Sequence, residues 1–93
     1  MTDRKPCRTP TGTSATNVPT WKFDACRSAI LDVLADGAVP ASEVAARVGD
    51  QLTDEQLDAL GKLGWHVTTV RLEMEVRGEI ARLPGRPLRL TRA

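Results

Sequence analysis

From Thr20 to Gly78 the apolar residues recur at three- and four-residue steps, the period of helices that bury one side. Cys26, Ala29, Ile30, Val33 and Leu34 share a face, with Phe23 and Ala25 at its edge. They predict a first helix over about residues 21–36. Thr20 is its expected N-cap, since the hydroxyl accepts an amide the first turn leaves unpaired, and Gly37 its stop. A second helix is predicted over about 41–48, opened by Pro40, turned inward by Val44, Ala45 and Val48, and ended by Gly49. Thr53-Asp54-Glu55-Gln56 has the spacing of a capping box and predicts a short third helix over about 54–60, with Leu52, Leu57 and Leu60 inward. Gly61 and Gly64 bracket a turn. A fourth helix over about 65–77 then puts Val67, Val70 and Met74 on one stripe and Trp65, Leu72 and Val76 on adjoining ones, with Gly78 at its left-handed exit.

Beyond Gly78 the period changes. Residues 80–83 and 88–92 read as two short strands around Pro84-Gly85-Arg86-Pro87, a hairpin that needs Leu88 and Leu90 packed on the helices to hold. Residues 1–19 contain three prolines and five threonines and almost nothing apolar. They are expected to be a disordered tail that adds no folding stability, leaving residues 20–93 as the folded domain. The expected core joins Ile30 on the first helix to Val70 and Met74 on the last.

Helix, helix, short helix, longer helix ending Glu75-Val76-Arg77-Gly78-Glu79-Ile80, then strand–turn–strand, resembles the winged helix-turn-helix superfamily. Met74 stands where that superfamily often has leucine. More narrowly, Gly64-Trp65, Thr69-Val70, Leu72, Glu75, Gly78-Glu79-Ile80 and Arg86-Pro87-Leu88-Arg89 resemble a family of short bacterial proteins of unknown function. The wider resemblance implies a mainly α fold with a small β-hairpin wing. It implies that the last helix enters a DNA major groove while the wing meets the neighbouring backbone. Its groove-facing candidates are His66, Thr68, Thr69 and Arg71, and its wing candidates are Arg82, Arg86, Arg89 and Arg92. Glu73, Glu75 and Glu79 depart from a basic recognition helix and would oppose DNA if they faced it. Plainer readings stand beside these: Trp65 bracing the helix start, His66 as a surface side chain, Glu73 pairing with Arg77 four residues on, and the wing arginines guarding a strand edge.

Composition narrows the classes. Ninety-three residues make one small domain, and with only 3% aromatics, Trp21, Phe23 and Trp65, no aromatic-lined cofactor pocket and no cofactor is expected. Cys7 and Cys26 lie in unlike contexts without a Cys-x-x-Cys pair, and there is one histidine. Neither a disulfide framework nor a zinc site is expected, and a reducing cytoplasm fits best. The N-terminal residues never reach an apolar run that a signal peptide or membrane span requires.

Net charge is +1, but it is unevenly spread: residues 1–20 carry three basic and one acidic side chain, 21–61 three basic and eight acidic, and 62–93 seven basic and three acidic. Such asymmetry points toward a polyanion-facing end. The leading expectation is therefore a small module that binds double-stranded DNA, a bacterial transcriptional regulator or accessory factor. The alternative is a winged-helix module that docks a protein partner or a second copy. No nucleophile–base pair or phosphate-cradling glycine loop is visible, so an enzyme is not expected. The two readings separate on whether Arg71, Arg82, Arg86 and Arg89 share one positive face after folding.

Overall fold

The computed structural model describes residues 4–8 and 16–93. Its helices are α1 (Thr20–Val33), α2 (Ala41–Gln51), α3 (Asp54–Leu60) and α4 (Leu63–Arg77). Short strands form two antiparallel sheets: β1 (Arg4–Cys7) with β2 (Thr16–Pro19), and β3 (Val39–Pro40), β4 (Ile80–Leu83) and β5 (Arg89–Arg92) in the order β3-β5-β4. The chain is mainly helical with small antiparallel sheets.

Local chemistry sets the helix ends. The capping box of α3 is fully formed, with Gln56 N–H donating to Thr53 Oγ1 at 3.1 Å and Thr53 N–H to Gln56 Oε1 at 2.9 Å. Gly78 closes α4 at φ 76°, a left-handed conformation that costs a residue with a Cβ. Other ends differ from expectation. Helix α1 starts on Thr20 itself, with Pro19 in the cap position and no side-chain cap. Helix α2 runs through Gly49 to Gln51. Gly49 serves a close approach rather than a stop, because a Cβ there would lie 2.9 Å from Leu63 Cδ2. Helix α4 begins at Leu63, so Gly64 lies in its first turn.

Helices α1, α2 and α4 pack against one another around a single core. Phe23, Cys26, Ile30, Val48, Val70 and Met74 are fully buried there, and Ile30, Val70 and Met74 belong to it as their spacing predicted. Strand β5 is central because its fully buried Leu90 pairs with Val39 on one side and Arg82 on the other. The edge is extended by Ala41 N–H, which donates to Leu88 O at 2.8 Å. Strand β3 went unpredicted because two residues carry no period.

The expectation of a structureless tail is corrected for the part that is described. Strands β1 and β2 pair Arg4–Cys7 with Pro19–Thr16, and the hairpin lies on α1 and α4. In this register Cys7 and Val18 point to the same side of the ladder and both are buried, at 3% and 0% exposure. Two apolar side chains on one face, plus a polar anchor from Arg8 to Glu73, take the place of a long apolar stripe. Residues 1–3 and 9–15 of that expectation lie outside the described residues.

Candidate interaction surface

Helix α4 has two unlike sides. Val67, Val70 and Met74 face the core together with two polar residues, His66 and Glu73. His66 was expected at the surface and among the groove-facing set, and both expectations are corrected: it is 9% exposed, four residues before Val70 on the inner side. Its Nδ1 lies 2.7 Å from Lys62 O, and because a carbonyl only accepts, Nδ1 carries the proton. Trp65 meets the imidazole edge-on, ring centroids 4.8 Å apart.

Glu73 is the charged centre of the inner side. Its carboxylate is fully buried and receives Arg8 N–H at 2.8 Å, Arg8 Nε at 2.9 Å, Arg8 Nη2 at 2.8 Å and Arg77 Nε at 2.7 Å. The Arg8 hydrogen bonds, helped by Arg77 and opposed by burial, hold its pKa down at about 2. Arg77 in turn lies over the Phe23 ring at 4.8 Å. The Glu73–Arg77 pairing predicted from four-residue spacing is present, while Arg8 is a partner that spacing could not reveal.

The outward side carries Trp65, 48% exposed, then Thr68, Thr69, Leu72 and Val76. Leu72 and Val76 are half-buried yet take no part in the core cluster. Trp65 is thus a rim residue at the helix start. A second exposed tryptophan, Trp21, sits under Lys22 Nζ at 5.7 Å, and the same Nζ donates to Leu60 O at 3.1 Å, beside the α3–α4 junction.

Of the cationic candidates, Arg71 and Arg82 are committed to one carboxylate. Arg71 Nη1 donates to Glu75 Oε2 at 3.1 Å, and Arg82 Nε donates to Glu75 Oε1. Burial is the main influence on Arg71 and lowers its pKa. Arg27 holds Glu79. Each of the three glutamates expected to oppose DNA is therefore neutralised by an arginine. Arg86, Arg89 and Arg92 are exposed and form no salt bridge among the described residues. Opposed residues of an antiparallel ladder share a side, so Arg82, opposite the buried Leu90, lies on the side toward α4, where it reaches Glu75 while staying half-exposed. Arg89, opposite Leu83, faces the other way, and Arg86 stands at the tip. Arg71, Arg82, Arg86 and Arg89 do not make one positive face.

A shallow cleft of about 190 Å³ between α1 and the α2–α3 segment is walled by Ser28, Asp32, Gln51 and Gln56, smaller than ordinary ligand pockets. Cys7 and Cys26 are buried thiols whose pKa values rise, Cys26 to about 11, chiefly through burial. Such groups are poor nucleophiles. Among the described residues no cluster of His, Cys, Asp or Glu could hold a metal ion, and no helix is long and apolar enough to cross a membrane.

The sequence pattern of a family of unknown function, DUF6958, matches residues 5–90. The chain belongs to this family. The DUF6958 match starts within β1 and ends within β5, so it takes in the N-terminal hairpin as well as the helices. No curated protein and no solved structure matches the chain.

Proposed function

We propose that this DUF6958 chain is a small winged-helix module that docks a protein partner on the outward side of α4. The element order α1-β3-α2-α3-α4-β4-β5, with β5 between β3 and β4, supports the winged-helix reading. The observation that carries the docking reading is the outward side of α4: Trp65, Thr68, Thr69, Leu72 and Val76 in sequence, outside the core and with no unpaired charge among them. A helix that reads base edges presents guanidinium or amide forks to them. Here the arginine on that helix's flank, Arg71, is spent on Glu75. An exposed tryptophan beside half-buried aliphatic side chains in one row instead has the chemistry of a protein contact, where tryptophan carries a large share of binding energy. The test is a photoreactive benzoyl-phenylalanine placed at Thr68 in cells. A protein adduct at that position, and none from the same probe at exposed Ser42 on α2, is the expected result; DNA adducts alone overturn it.

A second reading, DNA binding by a regulator or accessory factor, is favoured by the exposed Arg86, Arg89 and Arg92 and by the neutralised glutamates of α4. Thr68 and Thr69 would then meet the groove and the hairpin the phosphates. With two or three phosphates neutralised, log affinity for a random duplex would fall with log salt at a slope of roughly −2 to −3. A duplex that stays unbound at low salt leaves the docking reading alone.

A further inference from the structure

We infer that the partner seated on the outward side of α4 is a second copy of this chain, packed antiparallel across a two-fold axis; the inference rests on the docking reading above. Charge complementarity selects this occupant. Helix α3, with exposed Asp54, Glu55 and Asp58 that make no salt bridge among the described residues, leads through Gly61 and Lys62 into the N-terminal end of α4. The arginine hairpin β4–β5, with Arg86 and Arg92 exposed and making no salt bridge among the described residues, leaves from the opposite end. One copy therefore carries an acidic block and a basic block at opposite ends of the same apolar row. Antiparallel apposition sets each acidic block beside the other copy's arginines, whereas parallel apposition sets like charges together.

The row itself is self-complementary in that arrangement. A two-fold axis between Thr69 and Leu72 brings Trp65 of one copy to Val76 of the other, the two positions being about 16 Å apart along the helix at 1.5 Å per residue. Gly61 and Gly64, where an added Cβ would meet nothing within 4 Å, leave the N-terminal end of α4 open to the approaching helix. The glutamate on the flank does not oppose pairing, because Glu75 already accepts from Arg71 and Arg82. At the roughly 30–40 Å² per residue of ordinary interfaces, the five side chains per copy bury on the order of 300–400 Å² in total, so the charged ends must extend the contact and the association is weak and reversible rather than permanent.

The experiment is sedimentation of the full chain from about 5 μM to about 500 μM at low and high salt, a span chosen for an association of this size. The mass rises from monomer to dimer with concentration, and less so in high salt, which screens the end-to-end charge contacts. Leu72→Arg places a charge at the axis and abolishes the dimer; because Leu72 is half-buried but outside the core, its circular dichroism stays unchanged and its melting temperature falls by only a few degrees. Trp65→Ala weakens association by about tenfold. Charge reversal supplies the decisive arm. Asp54→Lys with Asp58→Lys in one chain, and Arg86→Glu with Arg92→Glu in another, each weaken self-association, while an equal mixture of the two forms a heterodimer. A monomer throughout the range, a dimer that survives Leu72→Arg, or a mixture that stays unassociated overturns the inference. The docking reading falls separately: adducts from Thr68 to other proteins but none to a second copy leave that reading standing and remove this partner, whereas DNA adducts alone remove both.

Discussion

The molecule holds two hairpins, and each is tied to α4 by one arginine on one glutamate. Arg8, at the end of β1, reaches Glu73, and Arg82, in β4, reaches Glu75. The surroundings differ. Glu73 is fully buried and takes four hydrogen bonds from Arg8 and Arg77, while Cys7 and Val18 bury the apolar side of the same hairpin. Glu75 is also largely buried but takes only two hydrogen bonds, from Arg71 and Arg82, and its hairpin sends Arg86 and Arg89 into solvent. A charge taken out of water is tolerated only while its partners remain, so both ties are structural, and the second is the weaker because Glu75 holds two arginine hydrogen bonds where Glu73 holds four. The N-terminal hairpin is thus part of the folded body, and the C-terminal one holds a basic edge outward.

The sharpest way to break this comparison is to neutralise each glutamate in turn. Glu73→Gln leaves Arg77 and Arg8 without their carboxylate and is expected to cost about 3–5 kcal/mol in urea unfolding, while Glu75→Gln, which loses two charge-assisted bonds rather than four, costs about 1–3 kcal/mol. Equal costs would show that the two ties are equivalent. Removing residues 1–8 takes away Arg8 and the buried Cys7 together and is expected to lower the melting temperature by about 10 °C or more. A truncated chain that melts with the full one would restore the view of the N-terminus as a tail.

Acid sharpens the same contrast. Glu73 has its folded pKa depressed to about 2 from 4.5, so its contribution is fully present above the unfolded value and is lost as pH falls from about 5 toward 2. The loss is on the order of 2 kcal/mol, after allowing for solvent screening at the half-exposed Arg8. Stability measured across that window should fall in the parent and run flatter in Glu73→Gln. A parallel slope in both would assign the acid sensitivity to other carboxylates.

Helical periodicity made the helices and their core legible, because a buried stripe leaves its mark at every third or fourth residue. Ile30, Val70 and Met74 were found that way, and the capping box at Thr53 and the exit at Gly78 were read from single residues whose chemistry has few other uses. The N-terminal hairpin left no such mark. Its apolar contribution is Cys7 and Val18, eleven positions apart, and its anchor joins Arg8 to a residue 65 positions away. The candidate surface was half legible: Thr68 and Thr69 do face outward, but a polar residue flanked by apolar ones gives no sign of burial, so His66 was misplaced. Which arginines remain unpaired depends on contacts between elements, and spacing along one helix misses Arg27–Glu79 and Arg82–Glu75.

The smallest expected effect lies at the hairpin tip and separates the roles of the two hairpins most cleanly. Arg86 is exposed, makes no salt bridge among the described residues and stands beyond the last paired residues of β4 and β5. Arg86→Ala should therefore change unfolding free energy by less than about 0.5 kcal/mol, well below the cost of truncating the N-terminal hairpin. Function then decides what the residue is for. If it meets a phosphate, its loss reduces the slope of log affinity against log salt on duplex DNA by about one and leaves sequence preference alone. If it meets an acidic partner surface, DNA retention is unaffected and association of the protein weakens in low salt only, since a rim contact is screened within about 10 Å at ordinary ionic strength. A stability loss comparable to that of Glu73→Gln would remove the distinction between the hairpins, because it would mean that the tip, too, is held against the body.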